Sequence, residues 1–169
     1  MTELPLHPAI VHIPIGIALA LPVVAGAALA GIWLKKFEPR TWYLILLLQL
    51  ILLAGGGLSM NTGEDEEHKV EAIVAEELIE SHEETAKLFM LISALGTIGS
   101  LGAIVAMRSN EKTGRYIMAG TTAVLVAAAG MALATGHEGG ELVYRHGAAG
   151  AYTAPASAPA GQPRGERDD

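Results

Sequence analysis

Four long runs of the sequence, residues 8–34, 41–62, 88–107 and 116–136, contain no Asp, Glu, Lys or Arg. A helix that crosses a bilayer needs about 20 consecutive, mainly apolar residues, and each run reaches that length. The first run is too long for the apolar part of a signal peptide, and no Lys or Arg precedes it. The sequence therefore predicts an all-α integral membrane protein, a bundle of four transmembrane helices.

The composition supports a membrane protein and excludes several kinds of site. The chain is 51% hydrophobic and 17% charged, whereas a soluble domain carries about a quarter charged residues. A net charge of −7 without any Lys/Arg-rich tract argues against a nucleic-acid partner. Cysteine is absent, which excludes disulfides, cysteine-ligated iron–sulfur clusters and covalently attached c-type haem.

Glycine, proline and other small residues suggest how the helices pack. Pro14 and Pro22 lie inside the first run and are expected to bend that helix or to loosen its hydrogen bonds. The triplet 55–57 permits close approach by another helix. Small residues recur along the fourth run and favour a tight seam with a neighbouring helix; they are Gly120, Ala123, Ala127, Gly130 and Ala134.

An acidic segment, residues 63–87, separates the second and third runs. Its apolar residues recur at helical spacing, which predicts an amphipathic helix that lies on the surface or leads into the next span. No EF-hand spacing is present, so the carboxylates are interpreted as a solvated face. The ten acids are Glu64, Asp65, Glu66, Glu67, Glu71, Glu76, Glu77, Glu80, Glu83 and Glu84.

The distribution of basic residues predicts the orientation in the membrane. Six of the eleven Lys and Arg residues lie in the short loops 35–40 and 108–115. By the positive-inside rule these loops are cytoplasmic, so both termini and the acidic segment are extracytoplasmic in a bacterial inner membrane. Residues 1–150 then form one membrane domain, and the Ala/Pro/Gly-rich residues 151–169 form a disordered tail.

This topology places every histidine on the outer side. Imidazole at membrane depth is uncommon and suggests a functional site. We expect a shared ligand site among His12, His82, His137 and His146, while His7 is also consistent with a helix cap and His68 with a solvated position.

Two kinds of cofactor fit such a site. Haem b is held by two axial histidines from different helices; glycines at 55–57 and 139–140 would leave room for the ring, and Arg145 would pair with a propionate. A transition-metal ion would instead be bound by His12 and His82 with a carboxylate from Glu84, Glu138 or Glu141. Spacing does not choose between the two cofactors.

Two interpretations without a cofactor also follow from the residues. The His, Tyr and Glu side chains near the end of the chain can form a hydrogen-bonded plug in an assembly subunit. Ion-coupled transport is disfavoured, because no span carries an Asp, Glu, Lys or Arg residue. No H-E-x-x-H motif is present, which disfavours a metalloprotease.

Two motifs resemble a bacterial family of small membrane proteins of unknown function. The opening His7-Pro8 with Val11-His12-Ile13-Pro14-Ile15-Gly16 is similar to its HP…VHFPIG motif, and 139–147 is similar to its GG-x-LVY-x-HG motif. His82 with Ala86 resembles its central element. The chain departs from the family pattern at Ile13 and Glu138. The resemblance covers most of residues 6–150, and the residues in matching positions are His7, His12, His82, His137, Tyr144 and His146.

Relatives of that family are fused to Rieske-type or cytochrome c-like domains, which implies redox work at the outer membrane face. Together with the predicted topology, this favours haem b and electron transfer, with His12 and His82 as axial ligands. His137 and His146 would then support the ligands or replace one of them. Because this chain carries no such redox domain, its electron partner would be a separate redox protein or a quinone.

Overall fold

The computed structural model describes residues 5–153, which form helices and connecting turns and no strand. Five α-helices follow one another along the chain: α1 His7–Ile10, α2 His12–Trp33, α3 Trp42–Val70, α4 Glu76–Ser109 and α5 Glu111–Tyr144. Two short 3-10 helices, Pro39–Thr41 and Ala148–Tyr152, complete them.

Four helical stretches are long and apolar enough to cross a membrane: His7–Trp33, Pro39–Val70, Glu76–Ser109 and Glu111–Tyr144. The prediction of an all-α protein with four helices long and apolar enough to cross a membrane is confirmed. Large apolar side chains such as Leu91, Ile98 and Leu133 remain exposed on the outside of the bundle. Lipid solvates such side chains as well as a protein interior would, so this outer surface is compatible with contact with a bilayer.

The four long helices form a closed ring: α2 packs against α3, α3 against α4, α4 against α5, and α5 against α2. The centre of the bundle holds the fully buried Leu21, Trp42, Leu52, Met118 and Leu125. Its buried polar pair is Gln49 and Ser100, where the Gln49 amide donates to Ser100 Oγ at 2.7 Å. This bond partly satisfies an amide that has no water nearby.

The seam between α4 and α5 depends on glycine. A β-carbon added at Gly99 would lie 2.6 Å from Thr121 Oγ1, and one at Gly96 would lie 3.2 Å from Leu125 Cδ2. The small residues predicted for this seam lie on the wrong face, because Gly120 and Gly130 are exposed and have nothing within 4 Å. The buried face of α5 is instead Gly114, Met118, Thr121, Leu125, Ala128, Ala132 and Thr135.

The N-terminal helix is interrupted at Val11, between α1 and α2. Pro14 has no N–H and cannot donate to the carbonyl of Ile10, so the helical hydrogen bonds lapse one turn before the proline. By contrast, α2 continues through Pro22 to Trp33. The loosening of the helical hydrogen bonds expected from the prolines is therefore found at the first of them, and the break at Val11 lies between His7 and His12.

Residues 63–87 do not form the separate amphipathic helix that was expected. The first part continues α3 to Val70, and α4 begins at Glu76 after a short turn. Glu76 and Glu77 lie in the first turn of α4, where the helix dipole favours acidic residues. The buried Val74 holds the turn down by packing with Ile79 and Ala148.

The C-terminal end is also more ordered than expected. Helix α5 runs to Tyr144, about two turns past the predicted end of the fourth span, so His137 is inside the helix. After a left-handed turn at Gly147, with φ of 74°, the chain forms the 3-10 helix Ala148–Tyr152. This helix includes residues 151 and 152, which were assigned to the tail. The rest of the predicted tail, from 154, lies outside the described residues.

Candidate functional site

The two ends of the bundle differ in chemistry. The loops that carry Arg40 and Arg108 meet at one end, where both side chains line the same groove. At the opposite end, His7 contacts α3 and faces His82 of α4. Because adjacent spans run antiparallel, residues far apart in sequence gather there, as the sequence predicted.

His7 is held by a backbone carbonyl. Its Nδ1 lies 2.8 Å from the carbonyl oxygen of Ser59 in α3. A carbonyl can only accept, so Nδ1 carries the hydrogen in this contact. In the neutral ring Nε2 then has a free lone pair, and a histidine fixed by a backbone carbonyl in this way is arranged like a metal ligand.

His82 stands opposite His7 on another helix. The two ring centroids are 6.4 Å apart and the ring planes are nearly perpendicular, at 89°. His82 Nδ1 is buried and has no hydrogen-bond partner within residues 5–153. Buried polar atoms are almost always paired, so an unpaired imidazole nitrogen requires an explanation. We refer to His7 and His82 as the histidine pair.

Glu138 of α5 borders the histidine pair. Its Oε1 accepts a hydrogen bond from the Thr85 hydroxyl at 3.0 Å. Its other oxygen, Oε2, is buried and finds no partner in the described part of the chain. Glu138 was noted in the sequence as a departure from the apolar residue expected there. In the structure it adds a second unpaired polar atom to the same end of the bundle.

Two glycines lie against the rings of the pair. A β-carbon added at Gly63 would lie 3.3 Å from His7 Cε1, and one at Gly139 would lie 3.2 Å from His82 Cε1. Both distances are tighter than ordinary contact, so a larger residue would displace the ring it faces. Gly139 belongs to a motif identified in the sequence, whereas Gly63 was missed because it lies within the acidic segment.

Glu66 ties both ends of the described chain to α3. Its Oε1 accepts from the backbone N–H groups of Leu6 at 2.7 Å and His7 at 3.3 Å. Its Oε2 accepts from the Tyr152 hydroxyl at 3.1 Å. We call these contacts the Glu66 clamp. No pattern in the sequence indicates this clamp, because Glu66 is one of ten acids that were all interpreted as a solvated face.

The other predicted site residues lie on the surface of the same end. His12, at the first residue of α2, is exposed. The exposed His137 lies 3.5 Å from Glu141, which also pairs with Arg145. The residues that the structure does not bring to the histidine pair are therefore His12, His137, Tyr144, Arg145 and His146.

No group of three or more His, Asp or Glu side chains between residues 5 and 153 is arranged to hold a metal ion. This applies to the histidine pair with Glu138 and to the carboxylates of Glu84 and Glu141. The arrangement therefore offers two imidazoles from different helices, with a carboxylate nearby, rather than a ligand set for a bare ion.

We expect the Tyr152 hydroxyl to lose its proton only at an unusually high pH. Burial and then the Glu66 carboxylate raise its pKa from 10.0 to about 12. Because the folded value lies above the unfolded one, the Tyr152–Glu66 contact contributes fully below pH 10 and is lost as the pH rises towards 12. A tyrosinate absorbance titration of Tyr152→Phe should lack a step near pH 12, and Tyr144→Phe should retain that step. Loss of a step near pH 10 from Tyr152→Phe would contradict the contact.

No family model matches the chain, and neither the curated proteins nor the solved structures that we compared with it give a match. The fold and the geometry of the histidine pair are therefore the basis for assigning a function.

Proposed function

We propose that this protein binds haem b between His7 and His82 and transfers electrons in the membrane. The observation that carries the proposal is the spacing of the histidine pair. A haem between two helices would be held by one imidazole from each, so the two rings must lie close together at one end of the bundle. The two centroids are 6.4 Å apart. This replaces the axial pair predicted from the sequence by His7 and His82.

The surroundings of the two rings support ligation. The Ser59 carbonyl holds the hydrogen of His7 on Nδ1 and leaves Nε2 free. His82 contributes a buried nitrogen without a partner. Haem needs only two ligands from the protein, whereas a bare ion usually takes three or four, and no group of that size is present among the described residues. When bound, the haem would supply reversible one-electron chemistry.

The same proposal includes the orientation in the membrane. Six Lys and Arg residues in the loops 35–40 and 108–115 favour a cytoplasmic position for that end of the bundle. The histidine pair would then lie at the extracytoplasmic face of a bacterial inner membrane. Acidic side chains surround that face, which favours a separate redox protein with a basic docking surface, or a quinone that enters from the bilayer.

A second candidate is a transition-metal ion held by the histidine pair and Glu138. The observation in its favour is the buried Glu138 Oε2, which has no partner within the described residues and borders His82. A carboxylate and two imidazoles are ligands that zinc, copper and iron accept. The side chains would have to close around the ion, because they do not form a three-ligand group as they stand.

An absorption spectrum decides between the two candidates. The full chain, expressed with added haem precursor and purified in detergent, would be measured oxidised and dithionite-reduced, with metal analysis of the same sample. Haem b predicts a Soret band that sharpens on reduction, with α and β bands and one iron per chain. Stoichiometric metal without haem bands would favour the ion. If neither haem bands nor stoichiometric metal is found, both candidates are rejected. A plug of hydrogen-bonded side chains in an assembly subunit is then favoured.

A further inference from the structure

A groove at the basic end of the bundle has no part in the function proposed above. It lies where the connection between α2 and α3 meets the end of α4, and it encloses about 410 Å³. Its lining combines the apolar Ile104 and Met107 with charged and polar side chains. The lining residues are Pro39, Arg40, Tyr43, Ile104, Met107, Arg108 and Glu111.

Arg108 is the unpaired cation of this groove. No carboxylate lies within 4.0 Å of its guanidinium among residues 5–153, and its hydrogen bond goes to the Tyr43 hydroxyl at 3.4 Å. Arg40 enters from the other side, paired with Glu38 at 2.8 Å in a solvent-exposed contact. Such an exposed pair is weak and exchanges readily for a stronger anion.

The charge around the groove is positive overall. The loops 35–40 and 108–115 contain six basic residues against Glu38 and Glu111, and Glu111 is already paired with Arg115. A guanidinium presents parallel N–H donors that match two oxygens of a phosphate. The electrostatics of the groove therefore favour an anion with phosphate geometry.

The apolar part of the lining indicates that this anion is attached to a hydrocarbon chain. Ile104 and Met107 line the groove, and the exposed Leu101 and Val105 continue the same helix towards the middle of the membrane. Tyr43, with half of its side chain exposed, stands at the level where aromatic residues meet lipid headgroups. Basic pockets between spans at this level are typical sites for acidic lipid headgroups.

We propose that this groove binds the phosphodiester headgroup of an anionic phospholipid, with Arg108 and Arg40 on the phosphate oxygens and an acyl chain along Ile104 and Met107. A free phosphate ion shares the headgroup chemistry but lacks the chain, so the groove would not retain it. The opposite end of the bundle, which carries the acidic residues 64–84, would repel the same lipid.

Tryptophan fluorescence tests this assignment on the full chain in bilayers. Trp33 is half-exposed and lines a neighbouring groove that shares Glu111, whereas Trp42 is buried. Nanodiscs of phosphatidylcholine would contain a small fraction of brominated phosphatidylglycerol, a quencher of exposed tryptophan. If the groove binds anionic lipid, brominated phosphatidylglycerol should quench about fivefold more strongly than expected for a lipid mixed at random at the same mole fraction. Brominated phosphatidylcholine should quench only as much as random mixing predicts.

Matched variants separate a site from a diffuse charge effect. Arg108→Gln should reduce the quenching by phosphatidylglycerol to the random-mixing value. Lys36→Gln removes the same charge at the same end but outside the groove, and it should leave most of the enrichment. Added inorganic phosphate should not displace the lipid.

Three results would overturn the proposal: equal quenching by the two brominated lipids, equal effects of the two variants, or displacement by phosphate alone. Arg108 and Lys36 are both exposed, so the two substitutions are expected to leave the folded bundle intact. Tyr43→Phe provides a second variant, which should weaken the enrichment by removing the hydroxyl that contacts Arg108.

Discussion

His82→Ala and His7→Ala are each expected to remove the bound haem while the protein stays in the membrane. Each substitution deletes one of the two proposed axial nitrogens, and a single remaining imidazole does not hold the ring in place. The ratio of Soret absorbance to protein in the purified sample should fall to background. Because neither ring belongs to the fully buried centre of the bundle, helix content should be unchanged.

The control for this prediction is His137→Ala, which removes an exposed imidazole at the same end of the bundle. It should retain a full haem complement. His12→Ala is the informative comparison, because the sequence favours His12 as a ligand and the structure places His7 opposite His82. Loss of haem from His12→Ala, together with full haem in His7→Ala, would contradict the assignment of His7.

Glu66→Ala is expected to destabilise the end of the bundle that carries the histidine pair by about 1–3 kcal/mol, since hydrogen bonds to a charged group contribute about that much. The substitution leaves the Leu6 amide and the Tyr152 hydroxyl without their acceptor. Hydrogen exchange should accelerate at Leu6 and His7, and thermal unfolding in detergent should begin at a lower temperature.

Glu64→Ala is the matched control for the Glu66 clamp. Glu64 is exposed on the same helix, and its carboxylate accepts no hydrogen bond from another described residue. Both variants remove one negative charge, so any general effect of charge is shared between them. Equal exchange rates at Leu6 and His7 in the two variants would show that the clamp does not hold the chain in solution.

The position of the spans and the gathering of histidines at one end could be predicted, because both depend on where charge is absent. A run without charged residues indicates where a span lies. Because adjacent spans run in opposite directions, the positions of the spans then determine which residues lie at the same end of the bundle. His7 and His82 lie 75 residues apart, yet two reversals of the chain are enough to place them together.

The rotation of each helix about its axis could not be predicted. In water, polar residues mark the outer face of a helix. In lipid both faces are apolar, so the pattern of apolar residues does not show which face is buried in the bundle. This is why Gly120 and Gly130 were assigned to a seam and are exposed, while Met118 and Thr121 are buried. The seam is recognised only when the neighbouring helix is present.

The structure leads us to propose His7 in place of His12, for a related reason. The sequence treats residues 8–34 as one helix, which favours the histidine one turn inside it. The break at Val11 makes α1 a separate unit that packs against α3, and this carries His7 to Ser59. Glu66 could not be distinguished from the neighbouring acids in the sequence, because nothing there shows which of them accepts three hydrogen bonds.

The Glu66 clamp also determines where anything joined to this chain would be held. Leu6 and Tyr152 bond the same carboxylate, so both ends of the described chain leave the bundle at one place, beside His7. A domain attached at either end would be tethered next to the histidine pair, at an effective concentration that a short linker raises to about the millimolar range. With such a tether, the attached domain and the histidine pair would meet within one molecule instead of by weak encounters in solution. No new contact surface would be needed.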